Sequence, residues 1–209
     1  MRGLELGTWD AVQSGLPSAD RHILVQSDDD TVVVYQAFDA EISAHAVAHG
    51  AFGGHAWRQD RVSAIRLSLT DVLHRSNWGQ DVGEERILAI RIKRAGFDSL
   101  LRQAIHREFQ EGLYDTKRSW QLATRYSQVS IEWGPDRDLN GAALGRQTAR
   151  FGMRHKALQN FATTWIDEVI DLTGWLKGVR NRRDLQVPIV AIYPVGDEGL
   201  VDRLTYRGT

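Results

Sequence analysis

The run Thr31-Val-Val-Val-Tyr35-Gln36 constrains this chain more than any other segment. Three consecutive β-branched residues stiffen the backbone and favour an extended strand over a helix. Ala37-Phe38-Asp39 then leads at once into a helical pattern that stops at Gly50. Junctions between strand ends and helix starts are where folds place chemistry, because backbone donors and side chains converge there. Tyr35 and Gln36 put a hydroxyl and a carboxamide at this junction.

Ile23 to Gln26, a turn at Asp28-Asp-Asp30 and Thr31 to Tyr35 read as a β-hairpin. Residues 1–22 are turn-rich and read as a leader segment ahead of a domain spanning 23–209. Asp39 is a good N-cap for a helix through His49, with Ile42, Ala46 and Val47 as its apolar stripe and Gly50 as its stop. Ser68 with Asp71 resembles a capping box and opens a short helix carrying Leu69, Val72 and Leu73. Ile87 to Ile92 predicts a buried strand. Phe97, Leu100, Leu101, Ala104, Ile105 and Phe109 repeat at helical spacing. Gln128 to Trp133 alternates as a half-buried strand that Gly134-Pro135-Asp136 ends. Leu158, Phe161, Trp165, Val169, Leu172 and Leu176 predict one long helix from Arg154 to Trp175. Val187 to Tyr193 predicts a final edge strand between two prolines. Strands and helices mix without regular βαβ alternation, which predicts a single α+β domain with a curved mixed or antiparallel sheet and packed helices.

Composition removes several kinds of chemistry. The chain has 209 residues and no cysteine, so disulfides, thiolate nucleophiles and cysteine metal sites are absent. A formal charge of −1 argues against a generally basic nucleic-acid binder. The start lacks a signal-peptide core and no apolar run approaches the roughly 20 residues of a membrane helix, so a cytoplasmic protein with no membrane partner is expected. Arginines number 22 against 4 lysines, a bias that suits bidentate grip on phosphate or carboxylate and equally a GC-rich coding sequence.

Several motifs in fixed order give the chain a specific resemblance. They are Val34-Tyr-Gln-Ala-Phe38, the segment from Arg61 to Trp78, Glu85-Arg-Ile-Leu-Ala-Ile-Arg-Ile92, Glu132-Trp-Gly-Pro-Asp-Arg-Asp138, the segment from Gly145 to Gly152, and Trp165-Ile-Asp-Glu-Val-Ile-Asp-Leu-Thr173. Together they resemble domain-of-unknown-function family 4291, bacterial and fungal, from about Ile23 to Tyr193. Departures from the family pattern are Ala64 for a tryptophan, Arg66 for a lysine, Leu67 for a proline, Asp71 for a second tryptophan and Glu132 for a glutamine. Such changes fit an altered substrate, or a retained fold without activity.

A weaker resemblance connects Tyr35 and Gln36 to the opening of the ADP-ribosyltransferase fold, where a strand tyrosine precedes a histidine or arginine rather than Gln36. That resemblance implies a later-strand carboxylate, here Glu132, orienting the ribose and stabilising the oxocarbenium ion as nicotinamide leaves. Tyr35, Gln36 and Glu132 are therefore the catalytic candidates. Arg61, Arg66, Ser68, Arg75, Trp78, Arg137, Arg146 and Gln147 are the ligand-binding candidates, with Arg150 beside them. Ser68 reads more simply as an N-cap, and Trp57, Trp78 and Trp133 as core residues, though the tryptophans also suit ring stacking. His45 and His49 stand one helical turn apart near His55, but no third ligand follows from spacing, so no metal site is assigned. The expectation is an enzyme or enzyme-like protein binding a phosphorylated, nucleotide-like ligand, NAD among the candidates, for glycosidic transfer. The alternatives are a non-catalytic module for RNA or single-stranded nucleic acid, and a specialised-metabolism enzyme acting on a small carboxylated substrate.

Overall fold

In the computed structural model, which describes residues 3–179 and 186–206, strand β1 (Leu6–Thr8), helix α1 (Trp9–Ser14) and the short strand β2 (Asp20–Arg21) precede the hairpin of β3 (Leu24–Ser27) and β4 (Thr31–Phe38). Helix α2 (Ala40–His49), β5 (Ser63–Arg66), α3 (Leu69–Arg75), β6 (Arg86–Lys93), α4 (Arg94–Gln103) and β7 (Ala104–His106) follow. Then come α5 (Lys117–Tyr126), the long pair β8 (Val129–Arg137) and β9 (Ala143–Met153), α6 (His155–Ala162), β10 (Ile166–Asp171) and α7 (Thr173–Val179). The last elements are β11 (Gln186–Pro188), β12 (Ala191–Ile192) and α8 (Glu198–Thr205).

The main sheet runs β10-β6-β4-β5-β9-β8-β7, with β3 and β2 attached at β4 and β9. Most pairs are antiparallel, whereas β7–β8 and β2–β9 are parallel, so the sheet is mixed and the protein is α+β as its sequence predicts. The valine run lies at its centre. Val32 and Val34 face one core with Ile65, Ile90, Phe151 and the α4 residues Phe97 and Leu100. Val33 and Tyr35 face a second core with Ile87, Leu69, Val72 and Leu73. A strand buried on both faces needs no polar alternation, and each valine fully withdrawn from water contributes about 1.5–3 kcal/mol before entropy is counted.

Local signals hold where their physics is local. The Asp39 side chain accepts from Ile42 N and Gly50 ends α2 with φ 62°. Ser68 accepts from Asp71 N as the N-cap of α3. Asp71 does not return to the Ser68 backbone, because its carboxylate pairs with Arg66. Val47, assigned to the buried stripe, is exposed.

Longer patterns are corrected. The helix expected through Phe109 ends at Gln103, and Ala104–His106 becomes β7, pairing in parallel with β8. The long helix expected from Arg154 to Trp175 is three elements, α6, β10 and α7. A register shift between Ile166 and Glu168 in β10 explains the error: Ile166 and Val169 both point inward, and a bulge gives a strand the three-residue spacing of a helix. Gly134-Pro135-Asp136 does not end β8, which continues to Arg137 through an irregularity after Pro135, a place where a strand tolerates proline. The single strand expected over Val187 to Tyr193 is two, β11 against β1 and β12 against β3. In the segment before Ile23, Leu4 and Val12 are buried, β1 pairs with β11 and β2 with β9. No helix among the described residues is long and apolar enough to cross a membrane.

Candidate functional site

Register decides which polar side chains meet. Arg66 on β5 lies opposite Arg150 on β9, and Arg150 lies opposite Glu132 on β8. Opposed residues share a sheet face, so these three form one row. In the next row Ala64, Gly152 and Ser130 are aligned in the same way. This is the face of the second core. Helix α3 closes it over β4, while the part over β5, β9 and β8 opens as a groove.

The groove has three connected chambers, and Arg150 lines all of them. The first, about 500 Å³, brings Arg66, Arg75, Arg137 and Arg150 together with Asp71, His74 and Glu132. Arg66 pairs with Asp71, and Arg150 with Glu132. Arg75 and Arg137 have no carboxylate partner among the described residues, although Arg137 Nη1 donates to Gly141 O at 2.7 Å. Four guanidiniums thus face two carboxylates. Burial pushes the Arg66 guanidinium down in pKa and its Asp71 partner pulls it up, while Arg75 and Arg150 add repulsion. That crowding leaves the chamber with a local excess of positive charge.

Glu132 sits where the first two chambers meet. Burial alone would raise its carboxyl, but Arg150 and Arg107 outweigh burial and hold it below the ordinary carboxylate range. Arg107 Nη1 lies 2.9 Å from Oε2. Glu132 is therefore an ionised carboxylate and not a proton donor at neutral pH. The second chamber, about 440 Å³, lies between β5, β8 and β9 on the far side of Glu132. The third, about 230 Å³, is lined by Gln36 and Arg61. Gln36 Nε2 donates to Ser63 Oγ at 3.0 Å, and the exposed Arg61 lies over the Trp57 ring at 5.7 Å.

Of the eleven catalytic and ligand-binding candidates read from sequence, Glu132, Gln36, Arg61, Arg66, Arg75 and Arg137 line this groove, together with Arg150 and Trp133. The other five do not. Tyr35 is buried beneath α3, where burial raises its phenol pKa and its hydroxyl has no hydrogen-bond partner. Arg146 is buried with Asp136 at 2.8 Å, and Ser68 Oγ donates to the other Asp136 oxygen at 2.7 Å. Tyr35, Ser68 and Arg146 instead surround a small cavity of about 50 Å³ beneath α1 and β11. Gln147 turns to the opposite face and accepts from Arg21 Nε. Trp78 packs on the second core and edge-on to His74 at 5.9 Å. Asp71, His74 and Thr148 are groove residues that sequence reasoning missed; for His74 the available signal was its place beside Arg75 in the last turn of α3.

The histidines do not converge. His45 and His49 stack at 4.2 Å, while His55 pairs with Glu41 at 2.7 Å. Among the described residues no cluster of three or more His, Asp or Glu side chains is arranged to hold a metal ion. A comparison with curated proteins finds no match. Residues 22–188 match the model of a family described as a domain of unknown function, DUF4291, and the chain belongs to that family.

Proposed function

We propose that the groove binds a phosphorylated, nucleotide-like ligand and that the protein is a transferase-like enzyme acting on it at Glu132. The observation that carries this reading is the meeting of Arg66, Arg75, Arg137 and Arg150 in one chamber, with two of the four lacking a carboxylate partner. Guanidiniums arranged so bind phosphate oxygens bidentately, with energy and orientation together. Glu132 supplies what a glycosidic transfer requires: an ionised carboxylate beside the phosphate site, facing a centre where positive charge develops. With NAD as substrate the bond between ribose C1′ and the nicotinamide nitrogen breaks, nicotinamide leaves with the electron pair, and an acceptor nucleophile forms the new bond. Tyr35 takes no part, since its ring lies inside the second core.

The tryptophans do not favour a single-stranded nucleic-acid module. Trp57 lies in the first core, Trp78 packs on the second, and Trp133 donates to Leu204 O at 2.8 Å. Trp57 is buried and Trp78 and Trp133 are half-buried, whereas such modules present exposed rings to successive bases.

Thermal shift with pyrophosphate and with NAD tests the binding, and nicotinamide release by wild type and Glu132→Gln tests the transfer. A ligand at a hundred times its dissociation constant stabilises the protein by about 2.7 kcal/mol. Stabilisation by pyrophosphate that Arg75→Ala removes supports the anion site. No response to millimolar pyrophosphate, NAD or other nucleotides refutes it, and full nicotinamide release by Glu132→Gln removes the carboxylate from the mechanism.

A further inference from the structure

The second chamber differs in chemistry from the first, although only Glu132 and Arg150 separate them. Its walls carry apolar side chains at Val62, Ala64 and Ile105, the last lying opposite Ser130. Gly152 keeps its floor low: a Cβ there would lie 2.7 Å from Ser130 Oγ and 3.3 Å from Val62. The cations that line the chamber, Arg107, Arg150 and Arg154, are each engaged with other protein groups, Arg150 with Glu132. Arg107 is bound to Glu132, and the Arg154 guanidinium donates to the carbonyls of Thr124, Arg125 and Ser127. Two groups can read a ligand edge, the Ser130 hydroxyl and the Gln128 carboxamide. Gln128 Oε1 accepts from Ala157 N at 3.0 Å, so the group that Gln128 offers is its NH₂. A chamber with apolar walls, arginines held in ion pairs or on carbonyls, and a polar edge suits an uncharged heteroaromatic ring, which has apolar faces and hydrogen-bonding edges.

We infer that the second chamber is a base-binding subsite and that the ligand is a nucleoside diphosphate or a molecule containing one. Its phosphates lie on the arginines of the first chamber. The inference rests on the anion-site reading above and adds to it the chemical class of the ligand's other end. Binding energy from the ring is independent of the phosphate contacts, so the two ends are separable by experiment.

Calorimetric titration of pyrophosphate and of ADP, GDP, CDP and UDP provides the test, with wild type, Ala64→Phe and Val62→Trp. Both substitutions fill the second chamber and leave the arginines in place. Val62 is exposed, so its variant folds even if the Ala64 variant does not. At least one nucleoside diphosphate should bind wild type about tenfold or more tighter than pyrophosphate, the equivalent of about 1.4 kcal/mol. In the variants that advantage should vanish while pyrophosphate affinity stays unchanged. The inference is overturned if no nucleoside diphosphate outbinds pyrophosphate, or if the variants keep the advantage. Pyrophosphate alone reports the first chamber: if it fails to bind, the anion-site reading has failed, and the base subsite falls with it.

Discussion

Arg146 and Asp136 form the most deeply buried ion pair described in this protein, with side-chain exposures of 6% and 9%. Beyond the pair itself, Arg146 donates to Gln13 Oε1 at 2.6 Å and Pro17 O at 3.3 Å. Asp136 also accepts from Ser68 Oγ and from Arg137 N. The cluster therefore ties α1, the N-cap of α3 and the β8–β9 pair together. Removing the carboxylate in Asp136→Ala leaves a buried guanidinium without a counter-charge, a loss of about 3–5 kcal/mol. The hydrogen bonds lost by Ser68 and Arg137 belong to the same event and are not added. Against a total stability of about 5–15 kcal/mol, a large fraction of folding free energy disappears. At about 2–4 °C per kcal/mol for a chain of this size, Tm should fall by roughly 6–20 °C.

Urea denaturation and calorimetry of wild type, Asp136→Ala, Asp136→Asn and the double variant Asp136→Leu/Arg146→Met test this reasoning. The double variant removes both charges and should lose less than Asp136→Ala alone, because no uncompensated ion stays behind. Asp136→Asn keeps an acceptor for Ser68 and should fall between. Pyrophosphate binding of the folded Asn variant should match wild type. A loss below about 1 kcal/mol in Asp136→Ala would refute the structural role. So would an Asn variant that melts normally yet no longer binds pyrophosphate, since Arg146 would then be a ligand group.

Glu132→Gln removes one carboxylate from the groove while the arginines stay, so pyrophosphate should bind more tightly, by roughly fivefold for a unit charge screened as in water; unchanged or weaker binding counts against Glu132 as part of the phosphate environment. Because the folded carboxyl is depressed, its stabilisation is present above the unfolded value of about 4.3 and is lost as pH falls through the lower folded value. The Tm gap between wild type and Glu132→Gln should hold from pH 8 to about 5 and close below that. His106 is held neutral first by burial, with Arg21 and Arg203 adding to the effect against a bond to Leu204 O. Its folded pKa lies below the ordinary value of about 6.5, so stability declines as pH falls from there, and His106→Gln should show a flatter profile over that range. Parallel profiles would refute it. Gly96→Ala brings a Cβ within 2.5 Å of Trp165 Cγ and 2.9 Å of its Cβ, the root of a side chain that cannot swing aside. Overpacking of about 1–3 kcal/mol should outweigh a helix-propensity gain of about 1 kcal/mol, and an equally stable variant would show that α4 can shift.

What the sequence reveals and what it hides divide along physical lines. Caps and turns depend on neighbours within a few residues, so Asp39, Gly50 and Ser68 take the places their chemistry predicts. The valine run is legible as a strand for the same reason. Periodicity fails where a bulge changes the count, as in β10, and where a short apolar stretch such as Leu100 to Ile105 fits both a helix end and a strand start. The groove shows a third limit. Arg146 and Arg150 stand four residues apart on β9 and point to the same face, and both suit a phosphate by type. Only the covering segment tells them apart. The end of the face that holds Arg146 lies beneath α1, whose Gln13 is 133 residues away in sequence, while Arg150 remains in the open groove. Tyr35 fails as a candidate for the same reason, because α3 folds back over the strand end that seemed exposed. Residue type can therefore nominate an anion site in this chain, but long-range packing selects which arginines serve it. The burial that withdraws Arg146 from ligand also makes it a determinant of stability, so the two arginines should separate in a single pair of measurements, Tm and pyrophosphate affinity.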